Sequence, residues 1–341
     1  MRILNGDNLQ ILKSLEGERF DLAELDGPYM AGLEGWDILT EAEYIQHYAE
    51  RLTALRPLLQ PWGVVFVFGY PEGCAEIKSW AHRTNSLYCR RWVHWYNNQA
   101  AHAARRIQVA VMLTKHDPSL MAEFKSWLKN ARESKGMSLR EARLAAGVNV
   151  QLLDNPNASS GGYFWYEADC SDIPTLADYQ GIKRAFNVPD KFDVLPMLTF
   201  EGVTNLDFMK VPPEKAEHLN DEGLRSKPIQ LYANLFKPTI PPTEKRKALV
   251  LYGGSGNAAI AAEALGYEVT VIEQDPKRCK LIEKRSSRLV QTWREKLSQG
   301  SLWGFPTLPA PDGGDSAPSQ SLSTPDMFSA IEHEPTPAPR R

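Results

Sequence analysis

The sequence predicts an α/β protein whose sheet is interrupted by a mainly helical insert and followed by a disordered C-terminal tail. Three observations predict it. Apolar, β-branched runs alternate with helix-like stretches from residue 20 to 114 and again from 227 to 297. A charged, helix-rich block separates the two runs. Beyond residue 300 the chain turns to Pro, Ser, Asp and Gly with few apolar residues, a composition that does not build a core. The expected boundaries are 1–117 and 223–300 for the two halves of the sheet domain, 118–222 for the insert and 301–341 for the tail.

Met1-Arg2-Ile3-Leu4 opens in strand-like sequence, and Phe20 to Asp26 reads as a buried strand ending on an acid. A helix is expected from Glu41 to Leu59, with Pro61 and Gly63 marking its end. Gly63 to Gly69 is a continuous β-branched and aromatic run, the pattern of a strand covered on both faces. A helix over Glu72–Arg83 and strands over Tyr88–Tyr96 and Ile107–Thr114 follow. After His116-Asp117-Pro118 an amphipathic helix begins near Phe124, and Ser138 to Val148 has the polar start, small central residue and terminal Gly of a helix-turn-helix segment. Asn155 to Gly162 reads as a loop, Tyr163 to Tyr166 as an aromatic cluster, and Thr175 to Phe186 as a further helix pair. The α/β pattern resumes with a helix over 228–237, a strand over Ala248–Tyr252, a helix over Asn257–Leu265 and a strand over Tyr267–Glu273. A last charged helix is expected from Pro276 to Leu297, capped by Gly300.

With 341 residues, 43% of them hydrophobic, the chain can bury a sizeable core. A net charge of -3 gives no global basic field, so any nucleic-acid contact must be made by a local groove. Cys74, Cys89, Cys170 and Cys279 are scattered without a CxxC pair, which argues against a metal site or disulfide framework and for a reducing cytoplasm. No leader pattern opens the chain, and no apolar run reaches the roughly 20 residues of a membrane span. A soluble cytoplasmic protein without membrane contact is expected.

Two short segments carry chemistry. Gly254-Ser255-Gly256 lies between a strand and a helix, and Glu273 ends the next strand. Such a βαβ unit binds an adenosine: the glycines allow close approach, and the acid meets the ribose hydroxyls. This unit alone does not separate NAD from S-adenosylmethionine. The second segment, Asp26-Gly27-Pro28-Tyr29, ends an earlier strand. An exocyclic amine on a base is a poor nucleophile, because its lone pair is delocalised into the ring. Asp26 and the carbonyl of Gly27 or Pro28 can accept its hydrogens, Pro28 can fix the turn, and Tyr29 can stack on a base outside the helix. Together the segments suit transfer of a methyl group to such an amine.

In these residues the chain resembles the DNA amino-methyltransferases, adenine-N6 and cytosine-N4, of the permuted group whose catalytic motif precedes its cofactor motif. The family's Asp-Pro-Pro-Tyr is similar to Asp26-Gly27-Pro28-Tyr29, its Ala-Gly-Ser-Gly to Gly253-Gly254-Ser255-Gly256, and its Ile-Glu-x-Asp-Pro to Ile272-Glu273-Gln274-Asp275-Pro276. Its opening Gly-Asp is matched by Gly6-Asp7 and its Lys-Pro by Lys227-Pro228. The resemblance implies a Rossmann-like, S-adenosylmethionine-dependent methyltransferase sheet. It places catalysis on Asp26, Gly27, Pro28 and Tyr29, and cofactor contacts on Asp7, Lys227, Tyr252, Gly254, Ser255, Gly256, Asn257, Glu273 and Gln274. The chain departs from the family at Gly27, at Val250 where an acid precedes the glycine turn, and at Asn257 where the family has Thr; the family's His-Pro-Thr-Gln before Lys-Pro is absent.

The resemblance implies double-stranded DNA as partner, no metal, and a restriction-modification setting, with a homodimer allowed. Asp at the first catalytic position resembles the adenine-N6 enzymes more than the cytosine-N4 enzymes. Carbon-5 methylation is disfavoured because no Pro-Cys pair supplies a nucleophile. The insert is the candidate target-recognition region, with Lys125, Lys129, Arg132, Lys135, Arg140 and Arg143 as possible phosphate or base contacts. Arg90 to Asn98 with Arg105 and Arg106 would flank the base pocket. A degenerate methyltransferase that only binds DNA, and a nicotinamide-dependent oxidoreductase, are the competing readings.

Overall fold

Alternation of apolar runs and amphipathic stretches builds eight strands and nine α-helices among the described residues. The computed structural model describes residues 1–29, 39–96, 107–115, 118–148, 166–167, 174, 176–195, 208–209, 211, 226–239 and 245–299, all within one compact unit, Met1–Trp303. The tail, the loop over Asn155–Gly162 and Tyr163–Trp165 lie outside them. The first half contains β1 (Arg2–Asn5), α1 (Asn8–Ser14), β2 (Phe20–Leu25), α2 (Glu41–Leu55), β3 (Leu59–Gly69), α3 (Pro71–Arg83), β4 (Tyr88–Tyr96) and β5 (Ile107–Thr114). Helices α4 (Pro118–Ser134), α5 (Leu139–Ala146) and α6 (Leu176–Phe186) follow, then the short β6 (Phe208–Met209). The second half contains α7 (Ile229–Phe236), β7 (Lys247–Val250), α8 (Asn257–Ala264), β8 (Glu268–Glu273) and α9 (Pro276–Ser298).

The strands form one sheet in the order β1-β8-β7-β2-β3-β5-β4-β6. All neighbouring pairs are parallel except those made by β5 with β3 and β4. Strand alternation sends Ala23, Leu25, Val65 and Val67 into a core with α1, α2 and α3, which Phe20 joins from beyond the irregularity in the β2–β3 register. It sends Leu22, Phe66, Phe68, Ala248 and Val250 into a second core with α7, α8 and α9. Five of the eight residues of helix α8 are alanine, so it lies close against its neighbours. Helices α4, α5 and α6 have a core of their own around Phe124, Leu128, Ala146, Tyr179, Ile182 and Phe192.

Three boundaries differ from expectation. Helix α2 stops at Leu55, followed by a 3-10 turn over Arg56–Leu58, and β3 begins at Leu59 rather than Gly63. Pro57 lacks the N–H that would continue the α-helical ladder. Pro61 is accommodated inside β3 because the register jumps there: Phe20 faces Leu59 and Leu22 faces Val64, leaving a bulge in which no donor is required. Thr175 to Phe186 holds one helix, not a pair, since Leu176 to Phe186 runs without a break. Helix α9 is capped at Gln299 in helical conformation, and Gly300 lies outside the described residues.

The expected turn chemistry of the insert is present. Ser138 and Glu141 form a reciprocal capping box at the start of α5, and Gly147 ends it in the left-handed conformation, φ 70°. Among the described residues no helix is long and apolar enough to cross a membrane.

Candidate active site

Strands β2 and β7 lie side by side in parallel, with Leu22 facing Ala248 and Glu24 facing Val250. From β7 the chain crosses to β8 on one side, and from β2 to β3 on the other. That reversal opens a crevice beyond the strand ends. It brings Asp26-Gly27-Pro28-Tyr29 next to the glycine turn, although about 225 residues separate them in sequence.

Asp26 is held by four hydrogen bonds. Lys227 Nζ donates to its two oxygens at 2.6 and 2.5 Å, Tyr232 donates to Oδ2 at 2.8 Å, and the Tyr29 hydroxyl donates to Oδ1. The Lys227 ammonium also sits 4.8 Å from the Tyr29 ring centroid and 5.0 Å from that of Phe68. Burial, then the negative Asp26, pushes both phenols well above the ordinary tyrosine value, so Tyr29 and Tyr232 stay protonated as donors. Lys227 is only 8% exposed. In so dry a pair, removing one partner strands the other charge, and that penalty exceeds the net worth of the intact pair.

Gly27 has a physical reason. A Cβ there would stand 2.8 Å from Cε2 and Cζ of Tyr252 and 3.0 Å from the Tyr48 hydroxyl. The Tyr252 ring occupies the space that a proline or alanine would need. The Tyr48 hydroxyl donates to the Pro28 carbonyl at 3.1 Å, fixing the segment from the α2 side. On that same side Arg51 Nε donates to Asn8 Oδ1 at 2.7 Å, and Asn8 Nδ2 donates to the Leu251 carbonyl at 3.2 Å. His47 Nε2 is bonded to the Tyr252 hydroxyl. Burial first and Arg51 second hold the His47 imidazole down to about 4, so it is neutral at pH 7.

The glycine turn is built for close approach. Gly254 and Gly256 have φ of 52° and 83°, conformations that a side chain would strain. Glu273 is buried, and its two oxygens accept from the Gly254 N–H at 2.7 Å and the Asp275 N–H at 2.9 Å. It therefore braces the turn, while each oxygen keeps a second lone pair for a ligand. Ser255 Oγ meets Ser226 Oγ at 2.6 Å, and Asn257 Nδ2 donates to Ser226 Oγ and to the Lys227 carbonyl, both at 2.7 Å. Lys227 thus ties the two segments together: its backbone belongs to the turn and its ammonium to Asp26.

The remaining expected residues spread further. Asp7 caps α1 by accepting from Gln10 N at 3.0 Å and faces Arg51 at 3.6 Å. Gln274 is exposed. In the insert, Lys129 and Arg140 are exposed, but two expected DNA contacts are structural. Arg132 is clamped to Glu167 at 2.8 and 3.0 Å and to the Met137 carbonyl, and Arg143 is buried at 3% exposure. Lys135 donates to the Ala185 carbonyl at 2.7 Å, tying α4 to the end of α6. Trp95 is core, donating to the Val211 carbonyl. Asn97, Asn98, Arg105 and Arg106 lie outside the described residues. Among the described residues no group of three His, Cys, Asp or Glu could hold a metal ion.

Sequence reading missed Tyr232, Tyr48, His47, Arg51 and Glu24. Glu24 had a signal: it is the one acid inside the strand β2 besides Asp21, on the same face as Asp26 by period two. Tyr232 lies five residues beyond Lys227 in a mostly apolar helix.

A family model described as DNA methylase, N6_N4_Mtase, matches residues 20–284, which include both segments. The chain belongs to this DNA methylase family. No curated protein matches it by sequence. Among solved structures, this DNA methylase is similar to the M1.HpyAVI–SAM complex, at 14% identity and TM-score 0.44, over 83% of its length and 98% of that chain. It is similar to the cytosine-N4-specific PvuII DNA methyltransferase, at 11% identity and TM-score 0.49, over 87% and 92%. It is also similar to TTHA0409 of Thermus thermophilus complexed with S-adenosyl-L-methionine, at 13% identity and TM-score 0.49, over 85% and 94%.

Proposed function

We propose that this DNA methylase transfers a methyl group from S-adenosylmethionine to the exocyclic N6 amine of adenine in duplex DNA, in the cytoplasm. The observation that carries the reading is the Asp26 carboxylate, held by Lys227, Tyr232 and Tyr29 beside the glycine turn. The residues present fit a nucleoside cofactor: Gly254 has open space where a Cβ would stand, its nearest neighbour being the Tyr252 carbonyl at 3.9 Å, and acceptor oxygens of Glu24 and Asn257 lie buried without donors. When bound, the cofactor supplies a methyl group on a sulfonium, which needs no further activation by the protein. Glu273 and the glycine turn would hold its adenosine.

The protein's task is the amine. Asp26 accepts a hydrogen of the amine in place of one of its four present hydrogen bonds, which localises the nitrogen lone pair, and it stands where the proton lost on methylation can be received. The donors that remain among Lys227, Tyr232 and Tyr29 hold the carboxylate in place while it does so. The Pro28 carbonyl, with one lone pair taken by Tyr48, keeps the other for the second amine hydrogen. Tyr29 offers an aromatic face to a flipped base. The insert over 118–222, whose helices α4, α5 and α6 share a core of their own and expose Lys129 and Arg140, is the proposed target-recognition region.

The test is transfer of tritiated methyl from S-adenosylmethionine to mixed-sequence duplex DNA, followed by nucleoside separation. N6-methyladenine in the parent, and none in Asp26→Ala, is the expected result. N4-methylcytosine would change the target base. Absence of incorporation despite DNA binding would favour the degenerate DNA-binding module.

A further inference from the structure

Glu24 is the penultimate residue of β2, after Leu22 and Ala23 and before Leu25, and is 1% exposed. Neither of its carboxylate oxygens has a hydrogen-bond partner. Its strand neighbours are Phe66 on one side and Val250 on the other. By alternation its side chain shares the face of Leu22, Val250 and α7, the face on which Lys227 and Tyr232 meet Asp26. Lys227 does not pair with it, because that ammonium is committed to Asp26. Burial, and then the neighbouring Asp26, push the Glu24 carboxyl well above the usual range, with Lys227 opposing.

A second buried acceptor lies at the start of α8, against the backbone of Lys227. Asn257 is 4% exposed; its amide N–H groups serve Ser226 and Lys227, and its Oδ1 has no donor. The three orphan atoms, two on Glu24 and one on Asn257, are all acceptors. A buried carboxylate without a partner is among the most destabilising groups a core can hold. What satisfies several acceptors and one negative charge together is a cationic group with several N–H donors, and a primary ammonium has three.

We propose that Glu24 is the carboxylate that receives the ammonium at the amino-acid end of the bound cofactor, reaching it from the strand beside the glycine turn. The assignment rests on the S-adenosylmethionine reading above. It also gives the neutral Val250 a counterpart: the two residues are register partners on adjacent strands, so an acid on either enters the same space.

Calorimetry with two probes tests it: S-adenosylhomocysteine, which has the amino-acid end, and 5′-methylthioadenosine, which has the same adenosine and thioether sulfur without it. Glu24→Gln should weaken S-adenosylhomocysteine by about 10- to 100-fold, as expected for a lost charge-assisted hydrogen bond, and leave methylthioadenosine unchanged. Glu24→Leu should melt higher than the parent without ligand, and lose most of the rise in Tm that S-adenosylhomocysteine gives. Adding Val250→Asp to Glu24→Leu should recover part of that rise. Unchanged S-adenosylhomocysteine affinity in Glu24→Gln overturns the assignment and leaves the cofactor reading standing. An equal loss for both probes also overturns it, since that marks a structural role. A parent that binds neither probe removes the cofactor reading and this assignment with it.

Discussion

On the α2 face of the β2–β7 junction, Arg51, Asn8, His47 and Tyr252 bond one another and the Leu251 carbonyl. On the α7 face Asp26 is equally well held, but Glu24 and Asn257 keep acceptor oxygens without donors. The first network is complete without any ligand, so it is scaffold: it sets where Tyr252, Gly27 and the Pro28 carbonyl stand. The second is complete only in part, and the incomplete part lies against the strand that runs into the glycine turn. On the α2 face the satisfied polar groups make a fixed wall, and beside the glycine turn the orphaned acceptors of Glu24 and Asn257 mark where a ligand enters.

Variants on the two faces should separate these roles. The largest effect belongs to the α7 face: Asp26→Ala should reduce methyl transfer to duplex DNA at least about 100-fold, the usual scale for losing a transition-state hydrogen-bonding group, while S-adenosylhomocysteine still binds by calorimetry. Retained turnover would remove Asp26 from the chemistry. On the α2 face Arg51→Met leaves Asn8 Oδ1 without its donor and should lower stability by about 1–3 kcal/mol in urea titration. Because that network is scaffold, ligand affinity should follow stability only weakly; a loss of affinity with unchanged stability would break the contrast.

Gly27→Ala probes the boundary between the faces. The added Cβ meets the Tyr252 ring, so a loss of about 1–3 kcal/mol is expected. In Tyr252→Leu the same change should be milder, with a coupling of at least about 0.5 kcal/mol in the double-mutant cycle. The smallest effect is in pH. His47 is held at about 4 in the folded protein against an ordinary 6.5, so the unfolded chain binds more protons between those values. Its contribution is whole above pH 6.5 and drains as pH falls towards 4. Scanning calorimetry across this window should find the decline in Tm shallower in His47→Gln than in the parent.

The α/β class and most elements were legible because their patterns are local. Gly63 to Gly69 is apolar throughout, Ser138-x-x-Glu141 writes a capping box, and Gly147 ends its helix where a left-handed residue is needed. The two segments at the heart of the site were legible as motifs for the same reason. Their supports were not. Tyr48, Arg51 and His47 enter the site from α2 and Tyr232 from α7, with partners 20 to 206 residues away, and nothing in a helical Tyr or Arg announces such a partner. Pro61 misled for a related reason: it is tolerated only because β2 and β3 slip past one another there, a property of the pair and not of either strand. The basic residues of the insert divided on burial, with Arg132 and Arg143 inside its structure and Lys129 and Arg140 on its surface.

The sheet order has a consequence for assembly. Strand β2, which leads directly into Asp26, is bordered on one side by β3 and on the other by β7, made more than about 220 residues later. During synthesis at about 5–20 residues per second, that apolar strand presents an unpaired edge for many seconds, with Glu24 upon it. A carboxylate within an exposed edge strand discourages pairing with another chain. The same residue that is costly in the finished core is thus a guard on the growing one.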